Sequence, residues 1–225
     1  MKSQRTQALV LRRTNYGEAD RILQVLTPMG KYGLMAKGVR REKSRLAGSI
    51  ELFSLTDIVF TKGRGELSIL TSASIVSSYQ NIVKDYDRMH FGYELLKQMN
   101  KASEILVNSE CFDILVESLF GLDKLELDIM IVKIWFYLRY SALLGHELNI
   151  WRDISGKLLS VDSVYRYDSQ EQGLVMDSSG DITSEHIKYL RIASQKPIKI
   201  LAQIGGVDRI LPNCLSIARI HSGIH

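Results

Sequence analysis

Lys37, Arg40, Arg41, Lys43 and Arg45 fall within nine residues around a single acid, Glu42. Cations at that density make and break no bonds; they form a surface along which the backbone of a polyanion can lie. A solvated, unengaged loop is the plainer alternative for a basic run of this length. The preceding segment, Lys31 to Ala36, has strand character, and Gly38 lets the chain leave that strand with a positive φ. The pattern is a strand delivering a cationic loop. Arg12 and Arg13 follow an apolar run at Ala8 to Leu11, and Lys62 and Arg64 flank Gly63 in a later turn. Tyr16 and Tyr32 sit among these cations. A tyrosine stacked on a base contributes ~1–3 kcal/mol, whereas one on a barrel strand commonly packs.

Other chemistries are poorly served. Lys62-Gly63-Arg64-Gly65 offers a GxG, but no GxGxxG completes it and a strand follows where a nucleotide-binding helix is required. His90, His146, His186, His221 and His225 have no metal spacing, and there is no GxSxG, HExxH or Walker phosphate loop. Asp85 and Asp87 open a helix, where acids favour the dipole. No enzyme is expected. Cys111 and Cys214 are too few for a disulfide framework and lie in apolar stretches, so both read as core.

The elements that position the loop follow from periodicity. Strands are expected at Thr6–Leu11, Arg21–Thr27, Lys31–Lys37, Ser49–Thr61 and Glu66–Tyr79, with Pro28-Met29-Gly30 and Lys62-Gly63-Arg64-Gly65 as hairpin turns. Arg12, Arg13 and the basic segment then lie on two loops. Five short strands with Gly-bearing hairpins predict a small all-β barrel of the oligonucleotide-binding (OB) type. Near Asn81 the period changes to three and four. Tyr86, Met89, Tyr93, Leu96 and Met99 mark one helix; Phe112, Leu115, Val116, Leu119 and Phe120 mark a second, closed by Gly121. Leu125 to Leu144 is apolar on nearly every face, which places it at the centre of a bundle. Its exceptions, Lys133 and Arg139, either snorkel to the surface or, beside Trp135, receive a partner's carboxylates. The helical period disappears between 148 and 181 and resumes at Thr183–Ser194, Pro197–Gln203 and Pro212–His221.

The expected architecture is α+β and multidomain: an OB barrel over 1–80, then a helical bundle over 81–225 with a small irregular insert at about 148–181. Charge divides the same way. The net charge is +4 over 225 residues, yet residues 1 to 80 hold 13 Lys and Arg against 6 Asp and Glu. The basic character belongs to the front of the chain. The start of the chain is too briefly apolar for a secretory leader, and no run suits a membrane span, so a cytoplasmic protein is expected.

Tyr16-Gly17-Glu18-x-Asp20-Arg21-Ile22, Ala36-Lys37-Gly38-Val39-Arg40 and Lys43-Ser44-Arg45-Leu46 together resemble the RecO family of bacterial recombination mediators, and Leu143-Leu144-Gly145 fits the end of that family's central helix. The resemblance implies an OB fold, a helical domain, binding of single- and double-stranded DNA and annealing of complementary strands. It also implies action with RecR, and in some members RecF, in loading RecA onto strands covered by single-stranded DNA-binding protein (SSB), whose acidic C-terminal tail the helical domain binds. No nuclease or ATPase is implied. Many members carry two Cys-x-x-Cys pairs that hold zinc after the central helix. Here those pairs fall near Arg152 to Ser155 and Met176 to Ser179, where no cysteine stands. The insert is a degenerate zinc-ribbon-like module, expected to bind no metal and to be held by packing of Trp151, Tyr165, Tyr167 and Leu174.

Overall fold

The computed structural model describes residues 3–63, 65–106 and 108–224. The chain forms two compact units, Met1–Lys124 and Leu125–His225. The first five strands end at Ser78, close to the expected boundary at residue 80, but the first two helices group with those strands.

In the first unit β1 (Ser3–Tyr16), β2 (Asp20–Thr27), β3 (Gly30–Ala36), β4 (Ser54–Thr61) and β5 (Ser68–Ser78) close into a barrel in the order β1-β2-β3-β5-β4. The first strand is longer than expected. Its first half, from Ser3 to Leu9, pairs with β4, and its second, from Leu9 to Tyr16, pairs with β2. One strand shared by two neighbours must bend, and the register slips between Val10 and Arg12 to allow it. Arg12 and Arg13 therefore stand on a strand and not on a loop. Sequence reading stopped the strand at Leu11 because two charges end the apolar run, yet the ladder continues past them.

The fourth strand is shorter than expected because Phe53 has a φ of 58°, a left-handed conformation that costs a bulky residue energy and breaks strand pairing. Ser49 belongs instead to a short 3-10 turn, Ala47–Ser49. Phe53 is buried, and its ring meets Tyr93 edge-on at 5.3 Å. Gly92 admits that ring: a Cβ there would lie 2.8 Å from it. The barrel interior holds Ala8, Val10, Leu23, Val25, Leu34, Ile58 and Phe60, which alternate along their strands, and Val39 and Ile50 enter from the connection between β3 and β4.

Helices α1 (Tyr86–Ile105) and α2 (Glu110–Asp123) complete this unit. Asp85 caps α1 by accepting the Arg88 N–H at 2.9 Å. The buried stripe of α1 is Phe91, Gly92, Leu95, Leu96, Met99 and Ala102, whereas Tyr86 and Tyr93 are exposed. The expected stripe is thus rotated, because tyrosine was counted as apolar. Gly121 is buried inside α2 and does not end it.

The second unit holds α3 (Ile129–Leu143), a hairpin of β6 (Tyr165–Asp168) and β7 (Gly173–Met176), then α4 (Ser184–Gln195), α5 (Ile198–Leu201) and α6 (Leu211–Ser222). Helix α3 is buried along most of its length and packs on α4 and α6. Pro197 caps α5 and Pro212 lies in the first turn of α6, as proline's fixed φ favours. Among the described residues no helix is long and apolar enough to cross a membrane.

Candidate nucleic-acid interface

The cationic segment leaves β3 at Ala36 and folds back as a series of tight turns. Gly38 takes a φ of +64°, and its N–H donates to the Asp20 carboxylate at 2.7 Å. Two residues on, the Arg40 N–H donates to the Ala19 carbonyl at 2.8 Å and its guanidinium to the Gly17 carbonyl at 3.2 Å. The loop is therefore fastened to the tip of the β1–β2 hairpin. Val39 points inward and is buried. Further turn bonds run from Arg41 N–H to Gly38 O and from Ser44 N–H to Arg41 O. With its apolar residue inside and its backbone tied, the loop leaves Lys37, Arg40, Arg41, Lys43 and Arg45 exposed. The paired motifs of the sequence thus meet in space: Asp20 of the first accepts the backbone N–H of Gly38 in the second.

The remaining candidates divide. Arg12 is exposed on β1, whereas Arg13 is half-buried and paired with Glu51, which also lies 3.7 Å from Arg21. Sequence reading missed both Arg21 and Glu51, since the β1–β2 register sets Arg21 near Arg13 and the connection between β3 and β4 brings Glu51 in from far along the chain. Tyr16 is exposed at the end of β1, beside the hairpin tip. Tyr32 is half-buried, with its ring tilted on Phe60 at 5.1 Å, and it lines a pocket with Gln4, Lys62 and Glu66. That pocket sits five residues back along β3 from Lys37, about 17 Å by strand rise. Lys62 is exposed there, and Arg64 lies outside the described residues. Tyr32 and Lys62 therefore do not belong to the loop's own patch.

In the second unit Trp135 is buried, and its indole N–H donates to the Lys196 carbonyl at 2.8 Å. Arg139 lies over the same ring at 5.4 Å and reaches that carbonyl at 3.4 Å. Lys196 caps the C-terminus of α4, so Trp135 and Arg139 bracket the end of that helix. Lys133 is half-buried on α3. As a docking patch the trio is corrected on one point: Trp135 presents no surface, because an almost wholly apolar helix buries its largest side chain.

The insert is organised by two copies of one turn. In Asp153-Ile154-Ser155-Gly156 the Asp153 carboxylate accepts the Ser155 N–H, the Ser155 hydroxyl and the Lys157 N–H at 2.9, 2.7 and 3.0 Å. In Asp177-Ser178-Ser179-Gly180 the Asp177 carboxylate accepts the Ser179 N–H and hydroxyl at 2.9 and 2.7 Å. Each closes with a Gly N–H to Asp carbonyl bond, at 2.9 and 3.0 Å. The Ser155 and Ser179 bonds lead in holding the two carboxyls below their ordinary range. These turns stand where the resemblance read from the sequence leads one to expect the cysteine pairs of a zinc module. Their donors do not fit a tetrahedral thiolate zinc site, because the carboxylates are already engaged by their own turns. No metal-competent cluster of side chains occurs among the described residues.

Packing supplies the rest, though unevenly. Tyr165 and Leu174 are fully buried, whereas Trp151 is half exposed beneath the Arg191 guanidinium, 4.1 Å from its ring centre. The Tyr167 hydroxyl bonds to His221 Nδ1 at 2.9 Å, and His221 Nε2 to the His146 carbonyl at 2.7 Å. A carbonyl only accepts, so Nε2 carries the proton and Nδ1 accepts from Tyr167. Burial pushes the His221 pKa down and the Tyr167 pKa up to about 12.

Residues 1–79 match the family model described as Recombination protein O N terminal. The chain is similar to DNA repair protein RecO of Roseiflexus sp. (strain RS-1), 36% identical over 53% of this chain and 42% of that protein. It is 30% identical to DNA repair protein RecO of Alkaliphilus metalliredigens (strain QYMF), over 82% of this chain and 75% of that protein. A third relative, DNA repair protein RecO of Rubrobacter xylanophilus, is 31% identical over 63% and 57%. The matched regions thus span from under half to three quarters of these relatives' lengths. A barrel that the family model matches, with similarity continuing into the helices, makes this chain a member of the RecO family.

Proposed function

We propose that the protein is a DNA-binding recombination mediator acting in DNA repair, and that the loop from Lys37 to Arg45 is its DNA contact. The observation carrying this reading is the fastened loop itself: five exposed cations held at one end of a barrel, in a member of a family whose relatives are named as DNA repair proteins. Its cations meet phosphates, so binding is indifferent to sequence and covers single and double strands. Tyr16 stands beside the loop as a stacking side chain. Two complementary strands screened by one cationic surface anneal there. On this reading the protein works in the cytoplasm on nucleoid DNA, together with RecR, to load RecA onto strands covered by SSB, with RecF as a further partner. The second unit receives the acidic tail of SSB. No catalytic step is proposed.

The test is fluorescence anisotropy of a labelled random single strand across a salt series, comparing wild type with the triple variant Arg40→Ala, Arg41→Ala, Lys43→Ala. Each phosphate contact on a single strand contributes ~0.7 to the slope of log affinity against log salt, so the variant loses about two units. Wild type that binds without salt dependence refutes the reading. The loop then belongs to an interaction scaffold that engages an acidic protein. Annealing is tested separately: Arg40 and Arg41 both changed to Glu must slow it.

A further inference from the structure

Arg13 and Arg21 form a cationic pair outside the loop. Across the β1–β2 ladder Arg13 faces Leu23 and Asn15 faces Arg21, so all four side chains share the inward face of the barrel. Leu23 belongs to the core. Arg13 and Arg21 continue the same face beyond it, at the barrel's mouth. Arg21 also donates to Asn15 Oδ1 at 3.1 Å, which fixes its direction. Glu51 bridges the pair, one carboxylate oxygen to each guanidinium. The cationic loop lies at this same end, because Arg21 pairs with Ala36, the residue before Lys37. Each arginine side chain is 26% exposed and Glu51 is 48% exposed, so the carboxylate is the member free to swing away. An anion held between two guanidiniums occupies the position, and carries the charge, of a phosphodiester in such a fork.

We propose that Arg13 and Arg21 form a further phosphate site of the nucleic-acid interface, filled in the free protein by Glu51, which competes with the nucleic-acid backbone for it. The proposal rests on the DNA-binding reading above. It makes Glu51 a built-in brake: the pair is kept oriented and neutralised until a phosphate displaces the carboxylate. Affinity is thereby held below what the cations alone would give, which suits a protein that must release the strand it delivers.

The test adds Glu51→Gln to the same anisotropy series. Opening one further phosphate site steepens the single-strand slope by about 0.7. Between about 50 and 200 mM salt, the variant's affinity then falls by a factor about 2.6-fold larger than wild type's. Adding Arg21→Ala to Glu51→Gln breaks the fork and removes most of the extra slope. Glu51→Ala, which deletes the carboxylate without introducing an amide, gives the same steepening and covers the case in which the glutamine variant fails to fold. If wild type binds with a steep slope and both Glu51 variants match it, the phosphate site is refuted while the DNA reading stands. If wild type shows no salt-dependent binding, the DNA reading falls and the site falls with it.

Discussion

Changing Asp20 to Ala separates the loop's charge from its anchorage. The carboxylate accepts the Gly38 N–H at 2.7 Å in a partly buried position. A hydrogen bond to a charged group contributes ~1.5–3 kcal/mol. Taking ~2 kcal/mol, loss of the acceptor raises the open fraction of the loop about 30-fold at 1.4 kcal/mol per decade. Asp20→Asn keeps an acceptor of neutral strength and loses ~1 kcal/mol, about fivefold in opening. Hydrogen–deuterium exchange of the peptide spanning residues 36–46 reads this order directly: alanine fastest, asparagine intermediate, wild type slowest. The two variants have equal charge, so any difference between them in DNA affinity comes from anchorage alone. Asp20→Ala must bind more weakly than Asp20→Asn, because a loosened loop is ordered again on binding. Equal exchange in all three proteins, or equal affinity of the two variants, refutes the idea that Asp20 holds the loop for its ligand.

Two further outcomes concern the second unit, where Trp135 and Trp151 both lie, so that tryptophan fluorescence reports it. Burial lowers the pKa of His221 and, against a smaller opposing effect of Asp181 and Glu185, that of His186. The unfolded chain therefore binds more protons below about pH 6.5, and the stability held above that pH is lost as pH falls through the folded values. Melts followed by tryptophan fluorescence should drop between pH 7.5 and 5, less so in His221→Gln; a flat profile contradicts the assignment. Zinc chelators should leave the same melt unmoved, whereas Asp153→Ala should lower it. Stoichiometric zinc in the purified protein would overturn that expectation.

The parts of the fold legible in the sequence are those governed by short-range pattern. Alternation in β2 and β3, and Pro28-Met29-Gly30 between them, marked a hairpin because strand period and turn chemistry act over a few residues. The bend in β1 left no local trace, since it answers to two partner strands, and the positive φ of Phe53 arises from where its ring must go against Gly92. The helix stripe erred at Tyr86 and Tyr93, whose amphipathic rings suit either side of a surface. Cations of the basic loop could be named from their spacing alone. Asp20, its anchor, stood in that motif without a role, and the Arg13–Glu51–Arg21 bridge depends on the β1–β2 register and on the path of the connection between β3 and β4, which no single stretch encodes.

The two Asp-x-Ser-Gly turns have a consequence for redox chemistry. A knuckle closed by zinc and thiolates loses its metal once peroxide oxidises the sulfur, and peroxide also damages DNA. Turns held by carboxylate and hydroxyl contain nothing for that oxidant to take. The chain's two thiols, Cys111 and Cys214, are buried, and burial pushes the pKa of the first up and that of the second up to about 12. Neither supplies much thiolate, the form that peroxide attacks. The insert's two turns therefore keep their shape under oxidising conditions that would dismantle a cysteine-built counterpart.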